Sequence, residues 1–228
     1  MKKAPLIVYA LLLAGSAFCL WLAVGGCKKD TAAVTNPMPD SALLAVARVW
    51  NRQALDEARP RLRSGDVVLR AGVGPDSYIL ARLNKKDKSY SHCGIVMIED
   101  GYPFVYHSIG GEDNPDERLR RDSADVFFAP RHNTAIAIVR YDCTAQAIGR
   151  LRQVVKEYYR LRPRFDMQFD LATDDKLYCS EFVYKAMIRA MQDTDYIPVT
   201  LGMGRRYVGI DDLYLNAHAH TEWKISFK

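Results

Sequence analysis

Between Cys93 and His107 the chain reads "CGIVMIEDGYPFVYH", two apolar runs joined at Asp100-Gly101. An Asp-Gly pair favours the two-residue turn whose central residues both take positive φ, the turn that best matches the twist of paired strands. The stretch therefore predicts an antiparallel hairpin, with strands from Cys93 to Ile98 and from Phe104 to His107. The turn also sets the register: Glu99 faces Tyr102, and counting back places Gly94 opposite His107. Neighbouring side chains in a strand point to opposite faces, so His92 and Cys93 diverge while His92 and Gly94 share a face. His107 becomes the diagonal neighbour of His92 across a glycine, close enough for one imidazole to reach the other.

The remaining pattern surrounds this hairpin with strands and helices. "SGDVVLR", Ser64 to Arg70, reads as a turn and a strand, "DSYILARLN" as a short helix, "TAIAIVRY", Thr134 to Tyr141, as an apolar strand, and "EWKISF" as a last strand. Helices are predicted from Ala145 to about Leu161, closed by Pro163, and from Leu177 to Gln192. An earlier helix, capped by Asp40, runs to about Ala58 and stops before Pro60. Gly110 to about Pro130 reads as a long polar loop on the rim of a site. The sum is an α+β domain with a mainly antiparallel sheet packed against helices.

The first 27 residues have a basic start, a long apolar run and the ending "VGGC", and they read as a targeting segment. "VGGC" resembles the bacterial lipobox, which would make Cys27 the lipidated residue. The same run is long enough to be an uncleaved membrane anchor instead. The expected organisation is a signal or anchor over 1–27, a tether and helix over 28–60, and a folded domain over 61–228, held at a membrane of the cell envelope. The net charge of +5, two units of which come from Lys2 and Lys3, is too small and too mixed to imply a nucleic-acid partner.

Three further cysteines, Cys93, Cys143 and Cys179, lie in the folded part. An odd number in an oxidising compartment leaves a free thiol. In "LYCSEFVYKAM" Cys179 opens a helix, where unpaired amides and the helix dipole favour thiolate and can supply part of an oxyanion hole. A strand histidine held by a second polar group is the other half of a cysteine hydrolase site. Each residue has a plainer reading, Cys179 as a small core residue and His92 as a hydrogen-bonded rim residue. The expected site combines Cys179, His92 and His107.

"SGDVVLR", "YSHCGIV", "FVYHS" and "LYCSEFVYKA" together resemble the YaeF/YiiX family of permuted papain-like amidases, relatives of the NlpC-type peptidases and of the lecithin:retinol acyltransferases. The resemblance covers about residues 61 to 190. It implies a circularly permuted papain-like (NlpC-type) fold, since the histidine hairpin precedes the cysteine helix. By the same resemblance Cys179 is the nucleophile, His92 the general base and His107 the third polar position, with Glu181 part of the signature. Tyr90 and Tyr178 are candidate donors to an oxyanion. The implied reaction cleaves an amide, peptide or N-acyl, through an acyl-thioester, on a peptide, acylated amine or lipid of the envelope, with no cofactor or metal.

Three other readings remain. The acyl group could pass to an amine or lipid acceptor, or be released from a lipid ester. The domain could be a non-catalytic envelope binding module. His218 and His220, two apart in "NAHAHTEW", could begin a metal site, although no third ligand is evident. Dinucleotide, phosphate-loop and serine-hydrolase signatures are absent, since Tyr207 stands where "GMGRRYVG" would need its third glycine.

Overall fold

The computed structural model describes residues 52–111, 114–202 and 204–227. The leader with Cys27, the tether and the predicted cap at Asp40 lie outside these residues. Residues 52–58 are helical, the end of the helix expected there. No helix among the described residues is long and apolar enough to cross a membrane.

The Asp100-Gly101 turn forms as expected, with φ of 49° and 83° at its two residues. It joins β2 (His92–Glu99) to β3 (Tyr102–His107) in the register read from the sequence, Glu99 opposite Tyr102 and Ile95 opposite Tyr106. β1 (Val67–Gly72) pairs antiparallel with the other edge of β2, setting Leu69 opposite Cys93 and Arg70 opposite His92. With β4 (Arg120–Ser123), β5 (Asn133–Tyr141) and β8 (Ala219–Ser226), these make a six-stranded sheet in the order β4-β3-β2-β1-β5-β8. All its pairs are antiparallel. A separate hairpin joins β6 (Thr200–Gly202) to β7 (Arg205–Tyr207).

The sheet is covered on both faces. On one side Leu69, Cys93, Ile95 and Val139 pack with Leu151 and Val155 of α3 (Ala145–Leu161) and with Cys179, Phe182 and Met187 of α4 (Cys179–Met191). On the other, Val68, Val96, Ile136 and Ile138 meet Ala58, Leu62, Phe128 and the short α2 (Ala124–Phe127). A helix α1 (Pro75–Ala81) follows β1. Local signals explain where the two long helices begin and end. The Thr144 hydroxyl accepts from the Ala147 amide at 3.2 Å at the start of α3, and the Glu181 carboxylate accepts from the Tyr178 amide at 3.2 Å at the start of α4. Arg162 and Gln192 end them in left-handed conformations, at φ of 51° and 60°. The stretch from Gly110 to Pro130 is more ordered than the long loop expected, because it contains β4 and α2.

Candidate active site

His92 and His107 meet as the register requires, with His92 Nε2 and His107 Nδ1 2.9 Å apart. Gly94 makes this possible: a Cβ there would sit 2.6 Å from Val105 Cγ1, 2.8 Å from the Tyr106 carbonyl oxygen and 3.0 Å from His107 Cβ. Gly94→Ala is expected to cost about 2 kcal/mol and to loosen the imidazole pair, as checked by urea denaturation and histidine NMR shifts. The third member, Asp122, carries no mark in the sequence. β4 pairs with β3, and Asp122 Oδ2 lies 3.1 Å from His107 Nε2 while Arg120 donates to its Oδ1 at 2.9 Å. No strand propensity in "RLRRDS" marks the segment that delivers this carboxylate.

The hydrogen-bond directions follow from the chemistry. Burial opposes ionisation of Asp122, but hydrogen bonds from His107 and Arg120 outweigh it and hold its pKa down to about 2. An ionised carboxylate only accepts, so His107 donates from Nε2 and accepts at Nδ1. His92 must then donate from Nε2, leaving the lone pair on its Nδ1. Burial among Phe127 and the charge of Arg70 keep both rings neutral, lowering the pKa of His107 and that of His92 further. Two neutral rings below an ordinary value of 6.5 stabilise the fold above that pH and lose the contribution as pH falls through it. Asp122 adds a second loss between 3.8 and about 2. Urea midpoints measured from pH 8 to 4 are expected to fall below about pH 6.5, and less steeply in His92→Leu.

Cys179 does not join this pair. It opens α4 as expected, but α4 packs on the face of β2 that carries Cys93, and His92 points from the opposite face toward Phe127. The expected Cys179–His92–His107 constellation is therefore not assembled: one strand residue separates the histidine from the face it would need. The thiol that meets Cys179 is Cys93. Its hydrogen bond lowers the pKa of Cys179, against the effect of burial, and the amides of Cys93, Ser180 and Cys179 itself add to the shift. Burial and the same contact raise Cys93. The negative charge belongs on Cys179 because the helix amides point there. Cys143 is half-buried, 4.0 Å from Met191 Sδ, and burial raises its pKa.

Cys179 lines a cavity with Asn84, Ser91, Tyr178, Val208 and Gly209. Tyr178, one oxyanion candidate, is on its wall, where its hydroxyl accepts from the Val208 amide at 2.9 Å and keeps its own proton for donation. The other candidate, Tyr90, is packed edge-on against Tyr214 with ring centres 5.6 Å apart, and it does not line the cavity. Glu181 is fully buried. Burial raises its pKa to about 7 even though Lys185 lies 2.9 Å away, and its role is to cap α4. His218 is stacked on Tyr196 at 4.2 Å, and His220 is exposed on β8 opposite Arg140. Among the described residues no group of three His, Cys, Asp or Glu side chains is placed to hold a metal ion.

No family model matches the chain, and no curated protein matches it. A solved structure does: the Escherichia coli O157:H7 protein described as metalloprotein yiiX, with a TM-score of 0.60 over 72% of this chain and 98% of that one. The two sequences are 17% identical, so the likeness is one of fold. The described domain has an α+β, mainly antiparallel fold similar to that of yiiX.

Proposed function

We propose that this protein is a cysteine hydrolase of the cell envelope, of permuted papain-like type, that cleaves an acyl bond through a thioester on Cys179. The observation that carries the reading is the thiol of Cys179, at the head of α4 on a cavity wall, with a pKa lowered by a thiol donor and three amides. The order of histidine hairpin and cysteine helix along the chain supports the permuted form, and "VGGC" supports a lipid tether at Cys27.

In this mechanism Cys179 attacks as the thiolate, the form that its lowered pKa favours. The carbonyl carbon forms a bond to Sγ, the charge moves to the carbonyl oxygen near the first amides of α4, and the leaving group departs as that charge returns. Water then adds to the thioester and releases the acid. An amide leaving group must gain a proton as it departs, and His92, the base and acid implied by the resemblance, stands across the sheet. That placement favours a second reading, in which the bond cleaved is a lipid ester or the acyl group passes to an acceptor, since an alkoxide or thiolate needs less help to leave. The metal named for yiiX does not fit here. His92 Nε2 and both His107 nitrogens are committed to hydrogen bonds, one of them to Asp122, and among the described residues no three His, Cys, Asp or Glu side chains are placed to hold an ion.

Limiting iodoacetamide from pH 5 to 8, with the adducts mapped by mass spectrometry, tests the thiolate. Cys179 is expected to label about tenfold faster than Cys143 near pH 7, with Cys93 slowest. Equal, slow labelling of all three would overturn the reading. Where Cys179 is selectively reactive, esters and amides of one acyl group decide which bond is cleaved.

A further inference from the structure

The mechanism leaves Cys93 with a part to explain. Its neighbour Cys179 is the first residue of a helix packed against the face of β2 that carries Cys93, both side chains belong to one apolar cluster, and each thiol shifts the pKa of the other. Cys143 is held elsewhere, beside Met191 and Tyr196, so neither thiol has another described thiol beside it. One member, Cys179, lines a cavity, and the other, Cys93, is fully buried and does not. This is the division between an attacking and a resolving cysteine.

We propose that Cys93 and Cys179 are a peroxide-oxidisable pair that closes to an intramolecular disulfide, with Cys93 as the resolving thiol. The Cys179 thiolate attacks one oxygen of a hydroperoxide and the O–O bond breaks, giving sulfenic acid and hydroxide or alkoxide. The sulfur of Cys93 then attacks the sulfenic sulfur, the S–O bond breaks, and the Cys93 proton leaves with the hydroxyl as water. The net change is two thiols and one hydrogen peroxide to one disulfide and two waters. The pairing stands without the hydrolase reading. Its consequence rests on that reading: the disulfide removes the nucleophile, so oxidation switches the site off and a dithiol restores it.

The test treats the full-length protein with equimolar hydrogen peroxide at pH 7, blocks remaining thiols with N-ethylmaleimide and maps the peptides. A Cys93–Cys179 cross-link is expected, with a loss of about 2 Da and of both alkylation sites, all reversed by dithiothreitol. In Cys93→Ala the cross-link is lost and Cys179 is expected to proceed to sulfinic acid, which dithiothreitol does not reverse. Sulfinic Cys179 beside reduced Cys93 in the wild type would overturn the proposal, as would a cross-link to Cys143, and neither result depends on whether the variant folds. Hydrolysis of p-nitrophenyl acetate, followed in the same samples, separates the two claims. A cross-link with undiminished turnover upholds the pairing and removes Cys179 from the hydrolase reading, whereas lost turnover with no cross-link overturns the pairing alone.

Discussion

Replacing Cys179 with serine is expected to lower turnover of an acyl substrate by about 10⁴-fold or more, because the alcohol is not ionised near neutral pH and no imidazole stands beside it to take its proton. The substitution is close to isosteric, so the urea midpoint should move little. The informative companion is His92→Ala. With His92 across the sheet, its removal should leave the iodoacetamide rate at Cys179 within about twofold while destabilising the fold. A tenfold or greater slowing of that rate would mean that the imidazole reaches the thiol in solution and would restore the site expected from the resemblance. Cys93→Ala should have the reverse signature, a raised pKa and slower alkylation at Cys179 with a modest change in stability, since the thiol donor is removed. That expectation replaces the one drawn from strand alternation alone, which left Cys93 with no part in the chemistry.

The second large effect is structural. Asp66, just ahead of β1, is nearly fully buried and accepts from Arg140 at 2.9 Å on each oxygen and from the Arg63 amide at 2.8 Å. Asp66→Ala is expected to cost about 3 kcal/mol, the lower end of the range for breaking a buried ion pair, because Arg140 keeps Glu222 at 2.8 Å. Asp116→Ala, which removes the exposed partner of Arg162, should cost under about 0.5 kcal/mol. Urea midpoints compared on the two variants check the contrast. Equal midpoints would mean that the Asp66–Arg140 ion pair does not hold the start of β1 in place.

How far the sequence could be read depended on how local the signal was. The Asp100-Gly101 turn determines the hairpin register from two residues, and with it the approach of His92 and His107 across Gly94. α3 was readable to the residue because Thr144 and the run up to Pro163 mark its ends within one segment. The face on which α4 lies was not readable in the same way. β2 is buried on both sides from His92 to Met97, so its pattern shows no polar face, and apolar alternation cannot say which side receives the cysteine helix. The pairing of His92 with Cys179 rested on the chemistry of a strand histidine and a helix-opening thiol and on the family resemblance, none of which says on which side of β2 the helix lies. Asp122 was missed for a related reason: the strand that carries it is four charged or hydroxyl residues, and only its pairing with β3 gives it a place in the site. The yiiX-like fold therefore supports the arrangement of elements, while the chemistry depends on which side of one strand each group occupies.

The position of β8 in the sheet bears on how the protein is made. β5 is an inner strand only because β8 pairs along nearly its whole length, and β8 follows α4 and the small hairpin in the chain. During synthesis, the flank of β5 with its run "AIAIV" stays open until β8 has emerged, and open apolar strand edges are where nascent chains find one another. The interval between making β5 and making β8 is thus when this protein most needs a chaperone, and ribosomes slowed in that interval should increase aggregation more than equal slowing upstream of β5.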